Sequence, residues 1–96
     1  KKYLFKELKM KKGHQCSLQY HRKKRETVFV FKGKLLFFYG KKKNILKKKT
    51  LTPGDWVTIE PLTVHRMKGL TDCIYYEAST PDNKDVVRLI DDYGRK

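Results

Sequence analysis

Apolar runs in this chain are short, four to seven residues each, and glycine or proline closes nearly every one before a helical period can develop. That pattern constrains the chain to β-structure, because a strand needs only a few alternating residues whereas a helix needs sustained 3.6-residue spacing. The predicted strands are Tyr3 to Lys9, Cys16 to His21, Thr27 to Lys32, Leu35 to Tyr39, Ile45 to Lys49, Trp56 to Ile59, Val64 to Met67 and Cys73 to Ala78. Gly13, Gly33, Gly40, Pro53-Gly54, Gly69 and Pro81 separate them. Eight short strands in 96 residues predict one all-β domain spanning residues 1–96, folded as a two-sheet jelly-roll barrel. A short turn of helix is expected only between Asp82 and Tyr93, where Ser79-Thr80-Pro81-Asp82 offers a start signal.

Two of these strands are apolar on both faces. Val28 and Val30 alternate with Phe29 and Phe31, and Leu35 to Tyr39 behaves in the same way. One face of each enters the barrel, so the other needs cover. The terminal segments can supply it, but a homodimer is the expected solution.

The polar residues with the most chemical content are Gln19, His21, Glu26 and His65. Gln19 and His21 are two apart, which puts them on one face of a strand. Glu26 follows the basic loop Arg22 to Arg25 and opens the next apolar run, so a hairpin is expected to return it beside His21. Two imidazoles, a carboxylate and an amide oxygen form a mixed nitrogen and oxygen set suited to one divalent ion such as Zn, Mn, Co, Fe or Ni. Taken singly, His21 and His65 read as ordinary strand histidines; the glycine framework around them favours ligation.

That framework resembles the cupin family. The first cupin motif places Gly, five residues, His-x-His, three or four residues, Glu, six residues and Gly. Here Gly13, Gln19-Tyr20-His21, Glu26 and Gly33 stand at those spacings, with Gln19 in place of the first histidine. The second motif is carried by Pro53-Gly54-Asp55 and His65, while Glu60, Leu62 and Gly69 replace its proline, glycine and asparagine. Ser17-Leu18-Gln19-x-His21, Pro61-x-x-x-His65-Arg66, Glu77 and the tail Asp85 to Arg95 are similar to the metal-binding domain of type II mannose-6-phosphate isomerases. The resemblance implies a double-stranded β-helix, a metal held by Gln19, His21, Glu26 and His65, and isomerisation of a sugar or sugar phosphate. In that chemistry the metal holds the oxygens of an open-chain sugar and stabilises a cis-enediolate while a base moves a proton between adjacent carbons. A non-catalytic cupin module that binds a sugar nucleotide or regulates a partner enzyme is the alternative.

Within this reading Glu77, an acid among aromatics, is the first choice for the base and His14 the second. The tail arginine Arg95 is the catalytic residue carried over from the isomerases, and Arg88, Arg66 and His14 are assigned to substrate binding. Tyr20 alternates away from the ligands and is expected outside the cavity.

The formal charge of +14 raises nucleic acid as a partner, but lysine supplies 19 of the 24 cations and arginine, the residue of bidentate recognition, only 5. Lys41 to Lys43 and Lys47 to Lys49 lack aromatics at stacking intervals. Solubility and attraction of an anionic small molecule are the expected uses of this charge, with no specific nucleic-acid partner. No apolar run approaches membrane-spanning length. Cys16 and Cys73 form no Cys-x-x-Cys pair, which with the rest points to a cytoplasmic protein.

Overall fold

The computed structural model describes residues 3–81 and 85–90. They form nine strands: β1 (Leu4–Met10), β2 (Leu18–His21), β3 (Glu26–Lys32), β4 (Leu35–Lys42), β5 (Ile45–Leu51), β6 (Trp56–Ile59), β7 (Val64–Gly69), β8 (Cys73–Ser79) and β9 (Val86–Ile90). Two antiparallel sheets face each other, one ordered β1-β8-β3-β6 and the other β5-β4-β7-β2-β9. Every connection between consecutive strands except β4 to β5 passes from one sheet to the other. The chain therefore winds as a double-stranded β-helix, the all-β jelly roll expected from the sequence.

Alternation sorts the side chains. In β3, Val28 and Val30 are fully buried between the sheets, while Phe29 and Phe31 stand on the outside. In β4, Leu35 and Phe37 point inward. With Val28, Val30, Leu51, Ile59, Met67, Cys73 and Tyr75 they form the apolar core between the sheets, beside which the buried polar side chains gather. Removing apolar groups of this kind from water is the main favourable term in holding such a sandwich together.

Two local expectations differ from the structure. Residues 86–90 are a strand, β9, paired with β2, Asp85 before it has no regular structure, and residues 82–84 and 91–93 of the segment expected to hold a helical turn lie outside the described residues. The Arg22 to Arg25 loop does not close a hairpin: β2 and β3 belong to opposite sheets, so His21 and Glu26 meet across the interior rather than along a ladder. The two cysteines are free thiols.

Candidate metal centre

Pairing register builds the site. Gln19 on β2 stands opposite His65 on β7 and opposite Arg88 on β9. Residues directly opposite in antiparallel strands share a face, so His65, Gln19 and Arg88 form one inward row across the five-stranded sheet. From the facing sheet β3 presents Glu26 and β8 presents Glu77. The space between is a cavity of about 340 Å³ whose walls include Gln19, His21, Lys24, Glu26, His65, Glu77 and Arg88.

At its centre His21 Nε2 lies 3.2 Å and His65 Nε2 3.7 Å from Glu26 Oε2. All three atoms fall within 4.8 Å of one another and all three residues are buried. The opposite ring nitrogens are already occupied. His65 Nδ1 lies 2.9 Å from the Thr63 carbonyl oxygen, which can only accept, so Nδ1 carries the proton. His21 Nδ1 lies 3.1 Å from Asp85 Oδ1. Both Nε2 atoms are thus turned to the cavity, as in metal-ligating histidines whose other nitrogen is held by an oxygen acceptor.

The charges in this group are unbalanced. Burial opposes ionisation of Glu26, yet His21, Glu77 and the neighbouring cations hold its pKa down to about 2. The resulting carboxylate turns its buried Oε2 toward the two imidazole Nε2 atoms. Burial lowers the pKa of His65, so its ring is neutral. Burial also works against charge on His21, but Glu26 and Asp85 outweigh it and its pKa is raised. A buried carboxylate oxygen facing two imidazole nitrogens is satisfied by a proton on His21 or by a metal ion in its place. Ligands about 2.1 Å from a shared ion stand roughly 3–4 Å apart, close to the separations here. The residues therefore fit a divalent metal. Gln19 lines the same wall, its Oε1 accepting from Ser17 Oγ at 2.8 Å.

Beside the centre, Lys24 Nζ lies 3.2 Å from Glu77 Oε2, and both side chains are buried. Burial, then the neighbouring Glu26 carboxylate, raises the Glu77 pKa above the usual carboxylate range. Two close carboxyl groups cannot both ionise freely, so Glu77 is the one that can hold a proton.

Of the residues singled out in the sequence, Gln19, His21, Glu26, His65, Glu77 and Arg88 come together at this cavity. His14 and Arg66 do not line it. His14 is an exposed turn residue. Arg66 points away from the interior, its Nε donating to the Cys16 carbonyl at 2.8 Å and its Nη2 to the Ile90 carbonyl at 3.5 Å, so it braces the β7 side of the barrel. Tyr20 likewise lies off the cavity wall. Arg95 lies outside the described residues. Two functional residues escape sequence reading. Lys24 sits in a four-residue basic run that looks solvated, and Asp85 reaches His21 across 64 positions of sequence.

No family model and no curated protein matches the chain. Solved structures do match at the level of fold. The capsular polysaccharide assembling protein CapF from Staphylococcus aureus is 19% identical, with a TM-score of 0.77, over 90% of this chain and 28% of its own. KdgF from Halomonas sp. is 19% identical with a TM-score of 0.75, over 86% of this chain and 72% of its own. An oxalate oxidase is 18% identical with a TM-score of 0.76, over 91% and 46% respectively. This chain thus spans little more than a quarter of CapF and under half of the oxidase. The architecture shared with these proteins is the two-sheet jelly roll.

Proposed function

We propose that this chain is the metal-binding domain of a sugar or sugar-phosphate isomerase, similar to mannose-6-phosphate isomerase. The observation that carries the reading is the juxtaposition of a three-residue ligand group, His21, Glu26 and His65, with a protonatable carboxyl, Glu77, on the wall of one cavity. A bound divalent ion would supply Lewis-acid polarisation of a substrate carbonyl.

The chain's own residues account for the rest. Glu77, whose pKa is raised by burial and by the Glu26 carboxylate, takes a proton from one carbon of the substrate and returns it to the next. Lys24 holds the Glu77 carboxyl in place and limits its rotamers. Gln19 offers a further oxygen beside the imidazoles. Arg88 and the rim residue Lys6 give the cavity positive charge, which suits a phosphate or another anionic group. Arg95 is retained in this proposal as the tail arginine of the isomerase resemblance.

The test is an NMR assay of the metal-loaded chain with mannose 6-phosphate or fructose 6-phosphate in deuterated water. Interconversion with deuterium incorporation at the carbon next to the carbonyl is expected. In Glu77→Gln the rate falls by about 10²- to 10⁴-fold, the usual range for losing an acid–base group, while metal content is unchanged. Full activity in Glu77→Gln removes it as the base. Binding of the sugar phosphate with neither interconversion nor deuterium uptake overturns the isomerase and transfers the site to a non-catalytic binding module.

A further inference from the structure

The outer face of the four-stranded sheet is aromatic from edge to edge. Phe5 on β1 stacks on Tyr76 of β8 at 5.6 Å between ring centroids, and Phe31 of β3 meets the same ring edge-on at 5.9 Å. Phe29 stands opposite Tyr76 on one side and opposite Trp56 of β6 on the other. These rings therefore form one contiguous band across all four strands. Phe5 is 71% exposed, Trp56 63%, Phe31 48% and Phe29 41%. At about 200 Å² for each free side chain, those four leave roughly 450 Å² of aromatic surface in water, within the roughly 300–600 Å² of a monomer's largest patch, a size that is often functional.

Charge is almost missing from the same face. In a chain with 24 cations, the charged residues on strands β1, β8, β3 and β6 that share this face are Glu7, Lys9 and Lys32, a net of one positive charge, and Lys32 Nζ lies 5.6 Å from the Phe31 ring centroid. The outer face of the other sheet differs, since Lys48 and Lys68 stand opposite the outward Phe38 and Leu36.

We infer that the outer face of the β1-β8-β3-β6 sheet is the contact surface for a second copy of this chain, packed sheet on sheet about a two-fold axis. Charge balance selects that partner. Two chains of +14 repel most strongly where their lysine-bearing surfaces meet, and this nearly neutral face keeps that cost lowest. Area agrees: two copies bury about 900 Å² of ring surface, and the polar rim needs to add only a few hundred Å² to reach the ~1,200 Å² of a specific interface. Aligned stacking of two twisted sheets at about −30° is the ordinary geometry for such faces. The inference does not depend on the proposed activity.

Sedimentation and fluorescence of the whole chain test it together, because Trp56 is its single tryptophan and lies on this face. At high micromolar concentration the mass is expected to be twice 11.5 kDa, with Trp56 emission shifting to the red on dilution at the same midpoint as the mass. Added salt should tighten association by screening the like charges. Phe29→Lys and Phe5→Lys should each give monomers with the same β-sheet circular dichroism, while Ile45→Lys, on the other sheet and 73% exposed, should leave the dimer intact. If Phe29→Lys fails to fold, Phe5→Lys at the exposed edge decides. A wild-type monomer throughout the range, a dimer that survives both phenylalanine variants, or association that salt weakens overturns the inference.

Discussion

At Asp85 a single carboxylate sets two features of the centre. Its Oδ1 takes the His21 Nδ1 position at 3.1 Å, and its Oδ2 accepts from the backbone amides of Lys23 and Lys24. The first contact aims His21 Nε2 at Glu26; the second shapes the connection that buries Lys24 against Glu77. A pH dependence follows from the two histidines. His21, with a raised pKa, must lose a proton before Nε2 can ligate, whereas His65, with a lowered one, is already neutral. Glu26, near 2, has no proton to lose. Below the raised His21 value, apparent metal affinity should therefore fall about tenfold per pH unit, the slope of one displaced proton, and it should level off above that value. Asp85→Asn should weaken metal binding by about tenfold where His21 is deprotonated, as expected for losing the charge that orients a ligand. A competition titration across that range checks both; affinity independent of pH, or a two-proton slope, would contradict the assignment. His21 and Glu26 were legible in the sequence because their spacing from Gly13 and Gly33 is local information, and His65 because it follows Pro53-Gly54-Asp55 in the second motif. Lys24 and Asp85 were not, since their roles exist only once β9 lies beside β2.

Among the elements, the turn from β6 to β7 shows how a sequence departure reappears as strain. Thr63 N donates to the Glu60 carbonyl at 3.2 Å, with Pro61 and Leu62 between them. Proline first and a positive φ second is the type II pattern, which normally calls for glycine at the second position. Leu62 occupies it at φ 70°, where the resembling motif has glycine. The cost is about 1 kcal/mol for a residue with a Cβ. Leu62→Gly should therefore stabilise the fold by a few tenths to about 1 kcal/mol, part of the gain being offset by glycine's freedom in the unfolded chain. Gly33 presents the opposite case. It has φ 84°, and a Cβ there would meet the Asp72 carbonyl oxygen at 2.2 Å. Gly33→Ala should cost about 2 kcal/mol or more, strain and clash together. Urea denaturation measures both, and equal midpoints for the two variants would refute the argument. Eight of the nine strands were readable from alternation and turn residues. β9 was not, because Ser79-Thr80-Pro81-Asp82 ahead of it resembles a helix start and its strand identity comes from pairing with β2. The crossing between β2 and β3 was hidden for a related reason: a short polar connection looks the same whether it closes a hairpin or spans two sheets.

For the whole molecule, the jelly-roll winding is what turns distant sequence into one centre. Residues 19 and 21 come from β2, residue 65 from β7 and residue 26 from the opposite sheet, so the site needs both layers of the sandwich. The polar group adjoins the apolar core, whose Met67 and Tyr75 line the same cavity, but none of its three residues belongs to that core, and the centre can change chemically without removing the residues that hold the sheets together. The fold class was legible because strand length and glycine spacing are periodic properties of the sequence. The uneven charge was legible as a number, +16 before Asp72 and −2 from there on, but its distribution over two sheet faces was not, since that depends on register. The central claim is that His21, Glu26 and His65 hold a divalent ion, and elemental analysis of the purified, metal-loaded chain against its His65→Ala variant tests it most directly. The account predicts one ion per wild-type chain and loss of most of it in His65→Ala, with the β-sheet circular dichroism preserved. The same metal-to-protein ratio in both, or a wild-type chain that holds no divalent ion, would contradict it.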